Sequence, residues 1–181
     1  MRTREGESLR SRSEKDEGQE GEAAALRVEE LHTPADVRRF FEAKARAYGH
    51  GREDAEQNVS RFQAARSGRN HLFGIKEQGE VVAGVELERM VRNGEPCAYE
   101  WNEFVVARLR GQNMVAALHE SAIHAARAMG CAYVFALVDR NTPAAVRSVQ
   151  KFGYALSRDR SFDDLRRRFP GDDVYVYSLG K

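Results

Sequence analysis

The stretch that decides the fold runs from residue 105 to residue 114 and reads Val-Val-Ala-Arg-Leu-Arg-Gly-Gln-Asn-Met. An apolar strand ends here, a short basic loop with one glycine follows, and a long helix begins. The first N–H groups of a helix have no partner within the helix and lie at the positive end of its dipole. Such a junction suits phosphate, and Arg108 and Arg110 add positive charge beside it. The alternative is an ordinary strand–loop–helix junction with two solvated arginines.

The part of the chain that follows this stretch alternates helices and strands. Met114, Leu118 and Ala122 recur at helical spacing, which predicts a helix from about residue 112 to residue 129. Residues 132–138 form a continuous apolar run, the pattern of a strand buried on both faces. The other predicted elements here are a short helix at 143–151 and strands at about 154–157 and 174–179.

The part that precedes it predicts two helices and a group of antiparallel strands. Thr33 and Pro34 start a helix, as its N-cap and in its first turn. Asn93-Gly94 is a hairpin turn signal, so the strand after it should lie antiparallel to its predecessor. The other predicted elements here are a strand at 25–31, a helix at 53–66 and strands at 70–76, 81–87 and 97–106. The full order is strand, two helices, three strands, helix, strand, helix and two strands.

The first 24 residues differ in composition from the rest of the chain. They contain no aromatic residue, Val or Ile, and are crowded with Arg, Glu, Ser and Gly. Such a stretch cannot bury enough apolar surface to offset its chain entropy. Residues 1–24 are therefore predicted to be a disordered charged tail, and residues 25–181 a single domain. Because the tail has no apolar central region, no secretory signal is expected.

Charge and composition exclude several classes of function. A net charge of +1 over 181 residues excludes bulk coating of nucleic acid. No run approaches the roughly 18 apolar residues of a membrane-spanning helix, so no membrane span is expected. Cys97 and Cys131 stand at no metal-ligand or redox spacing. We therefore expect no disulfide framework and a cytoplasmic location.

A second signal lies at residues 141–154, which read Asn-Thr-Pro-Ala-Ala-Val-Arg-Ser-Val-Gln-Lys-Phe-Gly-Tyr. The buried strand before it delivers Asn141 to its carboxyl end, the edge at which open α/β sheets bind ligands. The alternative is that Asn141 only caps the helix behind it, as Asn before a helix commonly does.

With these two segments the chain resembles the GNAT superfamily of acyl-CoA-dependent N-acyltransferases. The order of elements, the Arg-Gly loop after the fourth strand and the pattern Asn-x-x-Ala…Lys-x-Gly-Tyr carry the resemblance, which covers roughly residues 26–179. It implies an α/β GNAT fold, with a mixed central sheet of about seven strands flanked by helices on both faces. It also implies acetyl-CoA or another acyl-CoA as co-substrate and a small-molecule or peptide amine as acceptor. Because GNAT folds often dimerise, a homodimer is a further expectation.

The resemblance also implies which residues contact coenzyme A. In the family the loop follows Arg/Gln-x-x-Gly-x-Gly/Ala, a pattern that we place on Arg110, Asn113 and Val115; only Arg110 matches. Because Asn113 and Val115 are bulkier than glycine, we expect the loop to approach the phosphates less closely. The predicted contact residues, which include the acyl-binding backbone at 105 and 106, are Val105, Val106, Arg108, Arg110, Gly111, Gln112, Asn113, Met114, Val115 and Asn141.

Glu103 is the predicted general base, and Asn141 is the second predicted catalytic residue. Amines arrive protonated at neutral pH, and a carboxylate in a half-apolar pocket suits the removal of that proton. Glu103 shares a strand face with Val105, where the family binds the acyl group, whereas strict alternation points Glu100 the other way. The alternative is that Glu103 is a solvated strand carboxylate.

The family's usual general acid, a Tyr, is replaced here by Val149. Val149 falls on an apolar helical stripe, so a core role explains it. Ser148 and Tyr154 are nearby substitutes, and a departing thiolate needs little protonation.

Two other patterns lead to alternatives. His119-Glu120 with His124 is one residue longer than the HExxH zinc motif, so no metal is expected. The arginines between 158 and 168 leave an acidic or nucleic-acid-borne acceptor open, although nucleic acid is not the expected partner. The alternative to an enzyme is a catalytically silent GNAT-fold module that binds coenzyme A or a protein partner.

Deleting residues 1–24 should leave the melting temperature and any turnover nearly unchanged, because the segment has too little apolar surface to belong to the core. Thermal unfolding of the full and truncated chains checks this. A large loss of stability on truncation would show that the tail docks on the domain.

Overall fold

The computed structural model describes residues 27–65 and 68–180, so the tail predicted at 1–24 lies outside the described residues. Within them the strands and helices follow the predicted order, with ends shifted by a few residues and one additional helix between the last two strands. Short 3₁₀ turns occur at Ala107–Leu109 and Arg160–Phe162. The elements are β1 (Val28–Glu30), α1 (Pro34–Tyr48), α2 (Arg52–Ala64), β2 (Asn70–Glu77), β3 (Glu80–Arg92), β4 (Glu95–Val105), α3 (Met114–Ala128), β5 (Tyr133–Asp139), α4 (Pro143–Lys151), β6 (Ala155–Leu156), α5 (Asp163–Arg168) and β7 (Asp172–Ser178).

The strands form one mixed sheet in the order β1-β2-β3-β4-β5-β7-β6. Neighbouring strands are antiparallel except for β4 and β5, which are parallel. That parallel pairing covers only residues 97–100 opposite residues 133–136. Beyond it the two strands are no longer paired, and a cleft opens between their carboxyl ends. The predicted sheet of about seven strands with helices on both faces is confirmed.

The first helix begins and ends where the sequence dictates. The Thr33 hydroxyl accepts the backbone N–H of Asp36, and Pro34 occupies the first turn. Gly49 ends the helix in a left-handed conformation, with a φ of 72°. Gly49 thereby sets the carboxyl end of α1, which lies beside the cleft at Tyr48.

The helices cover the two faces of the sheet with separate apolar clusters. On one face α3 and α4 pack through Met114, Leu118, Ala122 and Val149. On the other face α1 and α2 pack through a cluster that includes Phe40, Phe41, Val59, Phe62 and Phe104. A smaller cluster on this second face joins Phe135 and Val174 to Phe162, just before α5. Within residues 27–65 and 68–180, no helix has both the length and the apolar character that crossing a membrane requires.

Replacing Gly84 by Ala should destabilise the domain by about 1–3 kcal/mol, the usual range for overpacking a tight core. A Cβ at Gly84 on β3 would overlap the ring of Phe40, which is fully buried on α1. Thermal unfolding checks the effect. Gly171→Ala is the matched control, because a Cβ at Gly171 meets no atom within 4 Å; equal melting temperatures for the two variants would contradict the prediction.

Candidate active site

The cleft between the diverging ends of β4 and β5 is the candidate active site, with a volume of about 320 Å³. Glu103 also borders a smaller cavity that leads along β4 to Arg110 and Val115. Those two residues border a third cavity, in front of α3, so the three spaces adjoin one another. The polar and aromatic side chains that line the cleft are Tyr48, Tyr99, Glu100, Trp101, Asn102, Glu103, His119, Ser148, Phe169 and Asp172.

A bulge in β4 sets the direction of the two glutamates. The pairing of β3 with β4 slips here, so that β4 holds one residue more than β3. Asn102 adopts a left-handed conformation with a φ of 54°, which Asn tolerates better than most residues. Its side chain accepts from Lys44 Nζ at 2.6 Å and donates to the buried Glu86 at 2.7 Å. The bulge turns both Glu100 and Glu103 toward α3, so the expectation that Glu100 points to the opposite face is wrong.

His119 on α3 lies between these two glutamates. Its Nδ1 is 2.5 Å from Glu100 Oε1, and its Nε2 is 3.1 Å from Glu103 Oε2. Glu100 and His119 are buried, whereas 32% of the Glu103 side chain is exposed at the cleft. Behind them the Tyr154 hydroxyl donates to the second oxygen of Glu100. A row of titratable groups, here called the Glu-His-Glu row (Glu100, His119 and Glu103), thus connects the interior to the cleft.

Burial and mutual charge set the pKa values in this row. Burial raises the pKa of Glu103 to about 7, against the attraction of His119 and with the repulsion of Glu100. Burial by itself would lower the pKa of His119, but Glu100 and Glu103 together outweigh it and raise that pKa. Burial, followed by the charge of Glu100, raises the pKa of Tyr154 so far that its phenol keeps the proton. A carboxyl group with a pKa near 7 changes its protonation at neutral pH, as a general base must.

The Glu-His-Glu row is also a group of described residues that could hold a metal ion. Its three side chains each offer one ligand atom, and these atoms lie within 4.8 Å of one another. Each imidazole nitrogen already faces a carboxylate, so a bound ion would displace at least one of these contacts. The two carboxylates, one beside each imidazole nitrogen, favour the protonated form of His119, in which both nitrogens are donors.

The edge of β4 that borders the cleft offers a free amide, that of Val105. Successive N–H groups of a strand point to opposite neighbours. The N–H of Val106 donates to the carbonyl of Val82 on β3 at 2.9 Å, so the N–H of Val105 points toward the cleft, where the pairing with β5 has ended. The nearby carbonyls are occupied, since Tyr48 donates to that of Glu103 and Arg110 to that of Val105. Of the two amides predicted to contact the acyl group, only that of Val105 is available.

The loop between β4 and α3 presents a row of unpaired amides. The N–H groups of residues 111–115 donate to no backbone or side-chain acceptor in the described chain. Gly111 and Asn113 are both left-handed, with φ values of 85° and 59°, and nothing lies within 4 Å of a Cβ built on Gly111. Together with Arg110, this loop borders a cavity of about 220 Å³ at the positive end of the α3 dipole. The arrangement suits a phosphate or pyrophosphate group.

Several predicted contact residues lie outside these cavities. Arg108 forms an ion pair with Glu77 on β2, and Gln112 is exposed. Asn141 is exposed before α4, and its N–H donates to Asp139 Oδ1 at 2.9 Å, so the structure does not bring it to Glu103. The residues among those predicted that do line the cavity in front of α3 are Val105, Arg110, Gly111, Asn113, Met114 and Val115.

His119 is the site residue that sequence reasoning missed. In the sequence His119 belongs to a pattern that is one residue too long for the HExxH zinc motif. In the structure it is buried on α3 against the cleft. A signal for it exists, because His119 lies one helical turn after Val115 and one before Ala122, on the buried side of the helix. A histidine on the apolar stripe of a helix that starts at a phosphate-type loop is a candidate for the site.

A sequence profile described as the acetyltransferase (GNAT) family matches residues 37–154. No curated protein matches the chain in sequence. The matched span contains the whole Glu-His-Glu row and the loop of unpaired amides.

Solved structures of GNAT proteins share the fold. A protein from Desulfovibrio desulfuricans assigned to the GNAT acetyltransferases is 15% identical, with a TM-score of 0.67 over 86% of this chain and 100% of the other. The GNAT domain of S. lividans PAT is 21% identical, with a TM-score of 0.62 over 84% and 90%. The PaiA N-acetyltransferase of Thermoplasma acidophilum, solved with coenzyme A, is 13% identical, with a TM-score of 0.60 over 84% and 99%. At these identities the likeness shows the fold.

Proposed function

Because this chain belongs to the GNAT family of acetyltransferases, we propose that it transfers the acetyl group of acetyl-CoA to a primary amine, with Glu103 as general base. The observation that carries the proposal is the place of Glu103. Its carboxyl group lies at the cleft with a pKa near 7, backed by His119, two residues before the free amide of Val105. A base and an amide donor therefore border the same opening in the sheet.

The loop at 111–115 is the proposed site for the pyrophosphate of coenzyme A. The loop geometry supports placing the family pattern Arg/Gln-x-x-Gly-x-Gly/Ala two residues earlier, on Arg108, Gly111 and Asn113. Arg108 and Gly111 then match, and Asn113 takes the left-handed conformation that a glycine would adopt. In this placement the amides approach the ligand without a side chain between them, because the space in front of Gly111 is open. Arg110 adds positive charge to the same cavity while it holds the carbonyl of Val105.

In the proposed reaction Glu103 accepts the proton that the acceptor ammonium must lose. The thioester supplies the acetyl group: the amine nitrogen bonds to its carbonyl carbon, the carbon–sulfur bond breaks, and the thiolate leaves. The N–H of Val105 donates to the carbonyl oxygen, on which negative charge develops. Ser148 is the hydroxyl that borders both the cleft and the cavity in front of α3, and so is the nearest donor for the thiolate.

His119 and Glu100 are proposed to hold Glu103 in place and to stabilise it as a base. The imidazolium of His119 attracts the carboxylate of Glu103 and limits the rise in its pKa. Glu100, buried behind it, keeps His119 charged and oriented. Neither Glu100 nor His119 needs to touch the amine for this role.

The second candidate is a GNAT-fold module that binds coenzyme A without turnover. The observation that favours it is Val149, which is buried in the core where the family's usual phenol would stand. The two candidates share coenzyme A binding and differ in amine acetylation. Thiol release in the presence of an amine panel therefore separates them.

Acetyl-CoA at millimolar concentration should raise the melting temperature, because a ligand that binds only the folded state stabilises it, by about 2.7 kcal/mol at a hundredfold excess over Kd. Arg110→Glu should abolish the increment by placing negative charge against the pyrophosphate. Differential scanning fluorimetry with and without ligand measures it. Arg127→Glu, near the far end of α3, is the control and should keep the increment. No shift in the unaltered protein would count against both candidates.

Glu103→Gln should lower kcat about 10²-fold, the usual scale for a positioned base, and leave acetyl-CoA binding intact. The deficit should shrink as pH rises, because more amine then arrives deprotonated. Glu120→Gln, on an exposed position of α3, is the matched control and should retain full activity. Steady-state kinetics across pH provides the measurement.

In the unaltered enzyme kcat/KM should rise through about pH 7, as Glu103 loses its proton. His119→Gln removes the charge that lowers the pKa of Glu103. In this variant the rise of kcat/KM should therefore occur at higher pH. If kcat/KM of that variant rises at the same pH as in the unaltered enzyme, the rise reports the titration of another group.

A further inference from the structure

The mouth of the cleft on the side away from α3 has a chemistry of its own. Paired residues on neighbouring strands point to the same face, and alternate residues of a strand do so as well. Tyr99 pairs with Phe135, whose cluster includes Val174, and Asp172 lies two residues before Val174. Tyr99 and Asp172 therefore lie on the face opposite to the one on which Glu103 meets His119. The cleft thus passes through the sheet where β4 and β5 separate.

The two ends of this passage serve different molecules in the proposed function. The loop at 111–115 and the amide of Val105 lie on the α3 side, so the acyl donor occupies that side. The acceptor must then approach Glu103 from the opposite mouth. The residues that line this mouth are Tyr99, Trp101, Leu137, Phe169 and Asp172.

At the mouth, Asp172 places a carboxylate without an ion-pair partner in the described chain. It is half-buried, and its carboxylate forms no hydrogen bond or ion pair within residues 27–65 and 68–180. Its neighbour Asp173 instead pairs with Arg140 at 3.5 Å. Arg140 donates its remaining hydrogen bonds to the carbonyls of residues 170–172. A half-buried carboxylate without a partner is costly unless a cation joins it.

Other cations near the mouth are already committed or exposed. On the α1 side Lys44 donates to Asn102, and Arg61 pairs with Glu86 at 3.1 Å while it packs on Trp101. Arg168 is exposed, and its guanidinium lies 5.3 Å from the ring centre of Phe169. At this distance its charge lies within the range of a cation–π contact with the rim of the mouth.

The aromatic rings complete a surface for a second ammonium group. Tyr99 stacks on Trp101 and on Phe135, with ring centres 5.5 Å and 4.9 Å apart, so its hydroxyl-bearing edge remains for a ligand. The ring of Phe169 is partly exposed at the same mouth. The faces of aromatic rings attract cations, most strongly where water is excluded. Burial, and then the charge of Asp172, raises the pKa of Tyr99 to about 12, so its phenol stays neutral. Rings and a free carboxylate together favour a cation and disfavour an acid.

We propose that the acceptor is a small amine with a second positive charge, an α,ω-diamine type of molecule, whose far ammonium group binds at Asp172 between the rings of Tyr99 and Phe169 while its near amine reaches Glu103. This inference rests on the proposed function for the direction of approach. It assigns the cation-binding role to the mouth itself, which binding measurements can test without turnover. It also disfavours the acidic or nucleic-acid-borne acceptor that the arginines between 158 and 168 left open.

The test compares acceptors of equal length that differ in the charge of their far end. 1,5-Diaminopentane, pentylamine and 5-aminopentanoate carry a positive, a neutral and a negative end; the shorter 1,4- and 1,3-series test the span. Binding to the protein saturated with coenzyme A is measured by calorimetry, and acetylation by thiol release. The best diamine should bind about tenfold more tightly than the matched monoamine, equivalent to roughly 1.4 kcal/mol, and the amino acid most weakly.

Asp172→Asn should reduce the preference for the diamine to within about twofold, and Glu120→Gln, at an exposed position of α3, is the control that should keep it. Arg168→Gln should strengthen diamine binding, because it removes a like charge from the rim. A diamine that binds no better than the monoamine, or a preference that persists in Asp172→Asn, overturns the proposal. Asp172-dependent binding without acetylation would uphold the cation site and overturn the proposed function instead.

Discussion

The pairing between β4 and β5 ends after Glu100, and the functional groups on both sides of the sheet take their positions from that break. Up to Glu100 the two strands share a ladder, and beyond it the backbone of β4 faces open space. The free amide of Val105 exists only because no strand pairs with it there. Glu103 reaches the cleft for the same reason, and the mouth around Tyr99 connects with the α3 side only through this gap.

A polar network beneath the bulge fixes the backbone of β4 just beyond the break. Glu86 is fully buried, and burial raises its pKa, yet it receives hydrogen bonds from Arg61, Asn70 and Asn102. Lys44 bonds the other end of the Asn102 amide. A buried carboxylate is tolerated only with such partners, and removal of one leaves the others unsatisfied. Because these partners come from α1, α2, β2 and β4, the bulge is tied to both helices on this face.

Local sequence signals predicted the elements and the loop, because each depends on residues close in the chain. Thr33 and Pro34 start α1 as predicted, and the amphipathic run that begins at Met114 becomes α3. The direction of Glu100 could not be predicted in this way. It depends on one additional residue in β4, whose left-handed conformation is fixed by partners on other elements. Arg108 likewise pairs with Glu77, on a strand about thirty residues earlier, and no local sequence pattern predicts that contact.

The Glu-His-Glu row has a consequence for how charge moves through a reaction cycle. With His119 protonated and both glutamates ionised, the row carries one net negative charge; after Glu103 takes a proton, it carries none. In the proposed mechanism, the cleft therefore attracts a cation most strongly before the transfer and least strongly just after it. Acetylation removes the near positive charge of the acceptor at the same moment. Protonation of Glu103 thus weakens the electrostatic attraction that would retain the product. When Glu103 returns this proton to solvent, the cleft regains its negative charge and can bind the next cation.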